Sequence, residues 1–244
     1  MKKSVVVATC IFSIAMIAAV WIGGHYLNKA KGHSKTVSVV GMAERDFTSD
    51  LIVWKFSYNV LDRDMKQGYA TIKEKTNLVK DYLHKKGIAD KDIEFLAIEC
   101  DKETEYHYND GNGYYEFLGY RLTQVVKIES SEVDKIEQIS REISELLDQG
   151  LQIGYNDLSF YYTKLSDLKI EMLAEATQNA KERAKTIAKN AGSHLGGLQT
   201  ANMGVFQITA PNSSDEDYSW GGTFNTSSKK KRASINMRLT YYVR

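Results

Sequence analysis

Proline occurs once in the 244 residues, at Pro211, and cysteine twice, at Cys10 and Cys100. So little proline leaves the interiors of helices and strands nearly free of breakers. Two cysteines this far apart, one of them in an apolar N-terminal run, exclude an intramolecular disulfide framework. An excess of one charge is missing too: 32 Lys and Arg stand against 31 Asp and Glu, a net charge of +1. No basic stripe with interleaved aromatics is present, and Lys229–Arg232 is too short and isolated to form one, so no nucleic acid partner is expected. The five histidines, His25, His33, His84, His107 and His194, are dispersed and make no metal-binding spacing. Gly196-Gly197 and Gly221-Gly222 lack the strand–turn–helix setting of a phosphate loop, and no Gly-x-Ser-x-Gly elbow occurs. The expectation is therefore no catalytic residues, no metal, no cofactor and no enzymatic activity. What remains is 43% hydrophobic and 26% charged, the composition of a globular chain long enough for a substantial core.

The N-terminus holds the one long hydrophobic run. Lys2 and Lys3 precede an uncharged stretch from Val5 to Gly24. At about 20 residues it is long enough to cross a bilayer as a helix, and longer than the 7–15 residues usual in a cleavable signal. Trp21-Ile22 stands where a signal peptidase wants small residues. The two lysines favour a cytoplasmic N-terminus, with Lys29, Lys31 and Lys35 weakening the asymmetry. Residues 1–35 are accordingly expected to be a signal anchor with a short linker. The anchor is a single-pass transmembrane helix that makes the membrane a partner and places the body, residues 36–244, outside the cytoplasm. Export after cleavage is the alternative.

The body has an α+β pattern. Val37 and Val39, then Leu51 and Val53, alternate as in strands, around the turn-rich stretch "ERDFTSD". Tyr69, Ile72, Thr76, Val79 and Leu83 share one helical face, and Lys85-Lys86-Gly87 supplies a C-terminus. A long hairpin follows, turning at "NDGNG" and running to Ser130. Val133, Ile136, Ile139, Ile143 and Leu146 mark a second helix, and "LQIGYNDLSFYYTKL" is strand-like. In the third, Leu168, Met172, Ala176, Ala180, Ala184, Ile187 and Ala191 form the inner stripe, with Gly192 as the stop. So many alanines predict a helix lying close against a sheet. "LQTANMGVFQITA" and "RASINMRLTYYV" are two more strands. The expected body is thus built of antiparallel hairpins packed with about three helices.

Three features carry functional alternatives. Glu99, Asp101, Glu103, Glu105 and His107 alternate along one strand and share a face. A divalent-ion or partner surface, or an enzyme's acids, is one reading. A solvated face is the better one, because hard-ion sites draw their ligands from a loop that wraps the ion. Tyr106, Tyr108, Tyr114, Tyr115 and Tyr120 crowd the same hairpin, which cross-strand packing or an oligomer contact explains. Finally, "DYSWGGTFNTSSKKKR" has a linker's composition and yet contains Tyr218, Trp220 and Phe224. These aromatics are expected to make a packing or subunit contact, with Lys229–Arg232 merely solvating the return.

The body also resembles a family. "VSVVGMAERDFTSDLIVWKFSYNV" is similar to the opening of SIMPL domains (DUF541), which carry a G-x-G-like step and a Pro-Asp before the second strand. Gly41 and Asp50 match, while Ala43 replaces the second Gly and Ser49 replaces Pro. "AEATQNAKERAKTIAKNAGSHLGGLQTANMG" resembles the family's Ala-rich helix, Gly break, Leu-Gly step and strand. "RASINMRLTYYV" resembles its closing strand. The resemblance implies a bacterial exported or membrane-anchored protein of the cell envelope, without catalytic residues to carry over. It also implies a homo-oligomer and a link to oxidative-stress defence. A module binding a ligand or an envelope polymer is the alternative; the sequence names no protein partner.

Overall fold

The computed structural model describes residues 15–22, 35–109, 112–211 and 221–244. Most of Val5–Gly24 lies outside the described residues. Residues 15–22 are helical (α1), and no helix among the described residues is long and apolar enough to cross a membrane. The body is α+β with antiparallel sheets, as the periodicities predict. Its elements are β1 (Thr36–Thr48), β2 (Leu51–Asp62), α2 (Met65–Lys85), β3 (Ile93–Phe95), β4 (Glu99–Asn109), β5 (Asn112–Ser130), α3 (Val133–Glu142), β6 (Gln152–Tyr161), α4 (Leu165–Asn190), β7 (Leu195–Met203), β8 (Gln207–Thr209) and β9 (Lys230–Val243). Two compact units result: one comprises the chain up to Gly41 with Ala176–Met203 and Met237–Arg244, the other Met42–Glu175 with Gly204–Asn236.

The larger unit is built on a five-stranded sheet of order β3-β5-β2-β6, with β4 also pairing β5. Strand β2 is central, and its alternate residues Ile52, Trp54, Phe56 and Tyr58 are fully buried. They meet Ile72, Val79 and Leu83 of α2 and Val133, Ile136 and Ile139 of α3 in one hydrophobic core. Trp54 Nε1 donates to Asn156 Oδ1 (2.6 Å), and Asn156 Nδ2 donates to the Ser140 carbonyl (2.9 Å). This chain satisfies the buried indole and ties β6 to α3. Tyr58 donates to Thr76 Oγ1 at 2.8 Å, and burial pushes its phenol up to about 12. Tyr69, placed by periodicity on the inner face of α2, is instead exposed, and in that turn it is the neighbouring Gly68 that is buried against Leu122. Past Glu142 the α3 stripe continues in a tighter 3-10 turn, which still buries Ile143 and Leu146.

In the smaller unit, Val39, Ala180, Ala184, Leu239 and Tyr241 form a core between the C-terminal half of α4 and the starts and ends of β1 and β9. Helix and strand approach so closely that a Cβ on Gly41 would collide with the Ala176 carbonyl and the Ala180 amide, and would lie 2.7 Å from Ala180 Cβ. The stripe ends differently from its prediction. Ala188 is buried, whereas Ile187 and Ala191 are exposed, because spacing by fours from Ala176 through Ala180 and Ala184 holds to the last turn. The stretch expected as one strand at "LQTANMGVFQITA" is two, β7 and β8, with Gly204 between them; Met203 pairs Met237 and Gln207 pairs Ser234 along β9. In the larger unit the Ser49 amide donates to the Lys229 carbonyl (2.9 Å), a bond that a proline here would lack. Asp50 accepts from Thr163 N and Oγ1 at 2.7 and 2.8 Å, holding the turn before α4.

Candidate interaction site

The β4–β5 hairpin outruns the sheet that supports it. Its base is embedded: Leu122 is buried, and Asp62, the last residue of β2, pairs with Tyr120. Beyond that pair β5 has no second partner strand among the described residues. The register shifts between Glu103 and Thr104, beside Gly119, whose φ of +153° and close approach to the Asp62 carbonyl suit only glycine. From Thr104 to Phe117 the two strands project as an arm, with the turn residues 110–111 outside the described part.

Cross-strand register sorts the arm's side chains onto two faces. One holds Tyr106, Tyr108, Tyr115 and Phe117; the Tyr106 and Tyr115 rings lie 5.0 Å apart, and Tyr106 lies across Gly113, covering backbone that a glycine leaves bare. The other holds His107 stacked on Tyr114 at 5.3 Å, with Glu105 directly opposite Glu116. Like charges in register repel, and His107 Nε2 stands 3.7 Å from Glu105 and 3.1 Å from Glu116, between them. The four tyrosines are 55–73% exposed (Tyr106 55%, Tyr114 57%, Tyr108 72%, Tyr115 73%). Cross-strand packing thus accounts for their pairing but not for their exposure. Two strands alone are marginally stable in water, so an arm with aromatics on both faces gains most from a covering surface.

The acidic residues separate along β4. Glu103 accepts from Arg121 Nε at 2.8 Å, and that guanidinium holds its carboxyl below the ordinary range. Asp101 lies opposite Arg121, while Glu99 pairs in register with Thr123 at the base. Only Glu105 and His107 come together, joined by Glu116, which periodicity within β4 had no means of revealing. Among the described residues no group of three or more His, Cys, Asp or Glu is placed to hold a metal ion. Millimolar calcium or manganese is accordingly expected to leave the melting temperature unchanged in both the parent and the Glu103→Gln, Glu105→Gln variant. A rise in the parent alone, followed by differential scanning fluorimetry, would establish an ion site.

Cys100 is a free, exposed thiol. It borders an apolar groove of about 600 Å³ with Met65, Tyr69, Ile98 and Leu122.

The aromatic loop is only partly within view: Tyr218 and Trp220 lie outside the described residues. From Gly221 onward it is folded against the body. Thr223 and Asn225 exchange backbone hydrogen bonds with Ile208 at 2.7 and 3.0 Å, and Phe160 N donates to the Thr226 carbonyl at 2.7 Å. Phe224 is half exposed, its ring 6.5 Å from Tyr161. The basic run does more than solvate the return, contrary to its composition. Lys229 pairs with Asp134 and with Glu137 (3.0 Å), Arg232 donates two hydrogen bonds to the Asp46 carboxylate at 2.6 and 2.9 Å, and Lys231 is buried with its ammonium on the Asn225 carbonyl. Alternation puts Lys231 inward with Ala233 and Ile235, and a buried ammonium requires such a partner.

A sheet-and-helix body with a close Gly–Ala seam and an aromatic arm defines an α+β module. The family model SIMPL, described as a protein of unknown function (DUF541), matches residues 37–238, and the chain belongs to that family. No curated protein matches the chain.

Proposed function

We propose that this protein is a non-enzymatic, membrane-anchored SIMPL-domain protein whose extracytoplasmic body acts by self-assembly through the β4–β5 arm. The observation that carries the reading is the arm itself. Tyr106, Tyr108, Tyr114 and Tyr115 are exposed together on a two-stranded projection. Tyrosine contributes large, rigid contact area at interfaces, with a hydroxyl that tolerates water until the partner arrives. The apolar run Val5–Gly24 supports anchoring, and confinement to a membrane raises the effective concentration of the arms. The setting is the bacterial cell envelope; a part in envelope or oxidative-stress defence is what the family resemblance implies. A second reading, binding of a small apolar ligand, draws support from the groove beside Cys100.

The test is the mass of the full chain, purified from membranes in mild detergent and measured by light scattering, with intact-mass spectrometry of the same sample. A defined multimer retaining Val5–Gly24 is the expected result. A monomer at micromolar concentration overturns self-assembly, and a product beginning after Gly24 overturns the anchor.

A further inference from the structure

The last turns of α4 carry a basic face that the fold leaves uncompensated. Lys181, Lys185 and Lys189 recur every four residues, so they stand about 6 Å apart along one side of the helix. With His194, Leu195 and Tyr241 they line an open groove of about 710 Å³, and no carboxylate lines it. None of the three lysines forms an ion pair with a described residue. The neighbouring Glu182 is turned to the opposite groove, where Gln178 donates to it at 2.8 Å. Like charges at this spacing repel each other along a helix, and no carboxylate among the described residues pairs with them. The floor between the lysines and β7 is apolar, supplied by Leu195 and the Tyr241 ring.

The groove's place in the chain indicates what covers it. It opens at the end of the unit where the N-terminal segment enters. Val243 N donates to the Lys35 carbonyl at 2.8 Å, and His194 and Arg244 exchange backbone bonds at 2.7 and 3.0 Å, so the start of β1, the end of β9 and the start of β7 lie side by side there. From that end, residues 25–35 lead to the apolar run, a link that reaches at most roughly 35–40 Å when extended. It carries Lys29, Lys31 and Lys35. We propose that the groove docks on the anionic phospholipids of the membrane that Val5–Gly24 enters. The lysine ammoniums meet the phosphates, and the partly exposed Leu195 faces the headgroups between them. The proposal rests on the anchored reading above: the tether holds a basic, apolar-floored groove within reach of an anionic surface, where each lysine contributes about fivefold to binding.

The experiment uses the full chain reconstituted in nanodiscs of phosphatidylcholine, or of phosphatidylcholine with about one third phosphatidylglycerol. Hydrogen exchange of the amides in 181–196 is then followed by mass spectrometry. Slower exchange is expected in the anionic discs only, reversed by molar salt and by the Lys181→Gln, Lys185→Gln, Lys189→Gln variant, with exchange in β2 and β5 unchanged. Equal exchange in the two discs overturns the proposal. So does protection that persists in phosphatidylcholine, which points to a protein segment or a second copy as the occupant. Retention in the discs after a carbonate wash reads the anchor separately. If the chain is recovered free of lipid, anchoring has failed, and sedimentation with phosphatidylglycerol vesicles decides the groove alone: binding lost in the triple variant upholds it, and no binding overturns it.

Discussion

Gly41→Ala is expected to destabilise the protein by about 3 kcal/mol or more, lowering the melting temperature by roughly 6–12 °C. The added methyl has no place to go. It would overlap the Ala176 carbonyl and the Ala180 amide, both backbone groups in the middle of α4, and press on Ala180 Cβ at 2.7 Å. A flexible side chain yields to such a contact at small cost, whereas here β1 and α4 must separate. Separation opens the core of Val39, Ala184, Leu239 and Tyr241, so the loss of packing adds to the strain. Ala180→Leu attacks the same seam from the helix side and is expected to cost about 1–3 kcal/mol. Gly197→Ala is the control: nothing lies within 4 Å of its added methyl, and its melting temperature is expected to stay at the parent value. If Gly41→Ala melts with Gly197→Ala, the seam is not closed as described. This contact also gives physical content to the G-x-G-like step of the family. The first glycine is where helix and strand backbones touch, while Ala43, at the second, is buried and accommodated.

Much of this architecture was legible because burial imposes a period. The β2 residues Ile52, Trp54, Phe56 and Tyr58 alternate because one face is covered, and Ile72, Val79 and Leu83 recur by turns because one side of α2 is. The misreadings occur where a residue's surroundings come from elsewhere in the chain. Tyr69 has the right spacing, but it is the neighbouring Gly68 that lies against Leu122 of β5. Ile187 fits a spacing of three from Ala184, whereas the buried row runs on by fours to Ala188. Lys231 belongs to a run of four basic residues that looks solvated, yet strand alternation turns it inward onto the Asn225 carbonyl. The candidate sites were less legible still. Crowded tyrosines look the same in a packed hairpin and in a free arm; only the end of β2 at Asp62 shows that the cover stops short. The shared face of Lys181, Lys185 and Lys189 went unread, because whether acidic partners meet it depends on which way Glu182 turns.

Replacing Tyr106, Tyr108, Tyr114 and Tyr115 together by Ser is expected to dissociate the proposed assembly while leaving the body folded. Each of these side chains is more than half exposed, so the substitutions remove little buried surface from the monomer. Their pairing across the strands, 5.0 Å between the Tyr106 and Tyr115 rings and a stack of Tyr114 on His107, contributes only about 0.5–1.5 kcal/mol per pair, and locally. The core of Trp54, Phe56 and Tyr58 lies outside the arm and should hold its melting temperature within a few degrees. Association is another matter. Interface tyrosines that are covered on binding commonly cost about 2 kcal/mol or more each when truncated, though not additively. Four of them are therefore expected to weaken assembly at least about 100-fold, enough to turn a multimer at micromolar concentration into a monomer. Light scattering on the variant and parent, each as the full chain in detergent, reads the mass; circular dichroism on the same samples reads the fold. Glu105→Gln with Glu116→Gln serves as a contrast on the second face: it relieves the in-register repulsion around His107 and leaves the other face intact, so a partner seated on Tyr106, Tyr108 and Tyr115 keeps its grip. A multimer that survives the loss of all four tyrosines assigns assembly to another surface and leaves the arm without its proposed role.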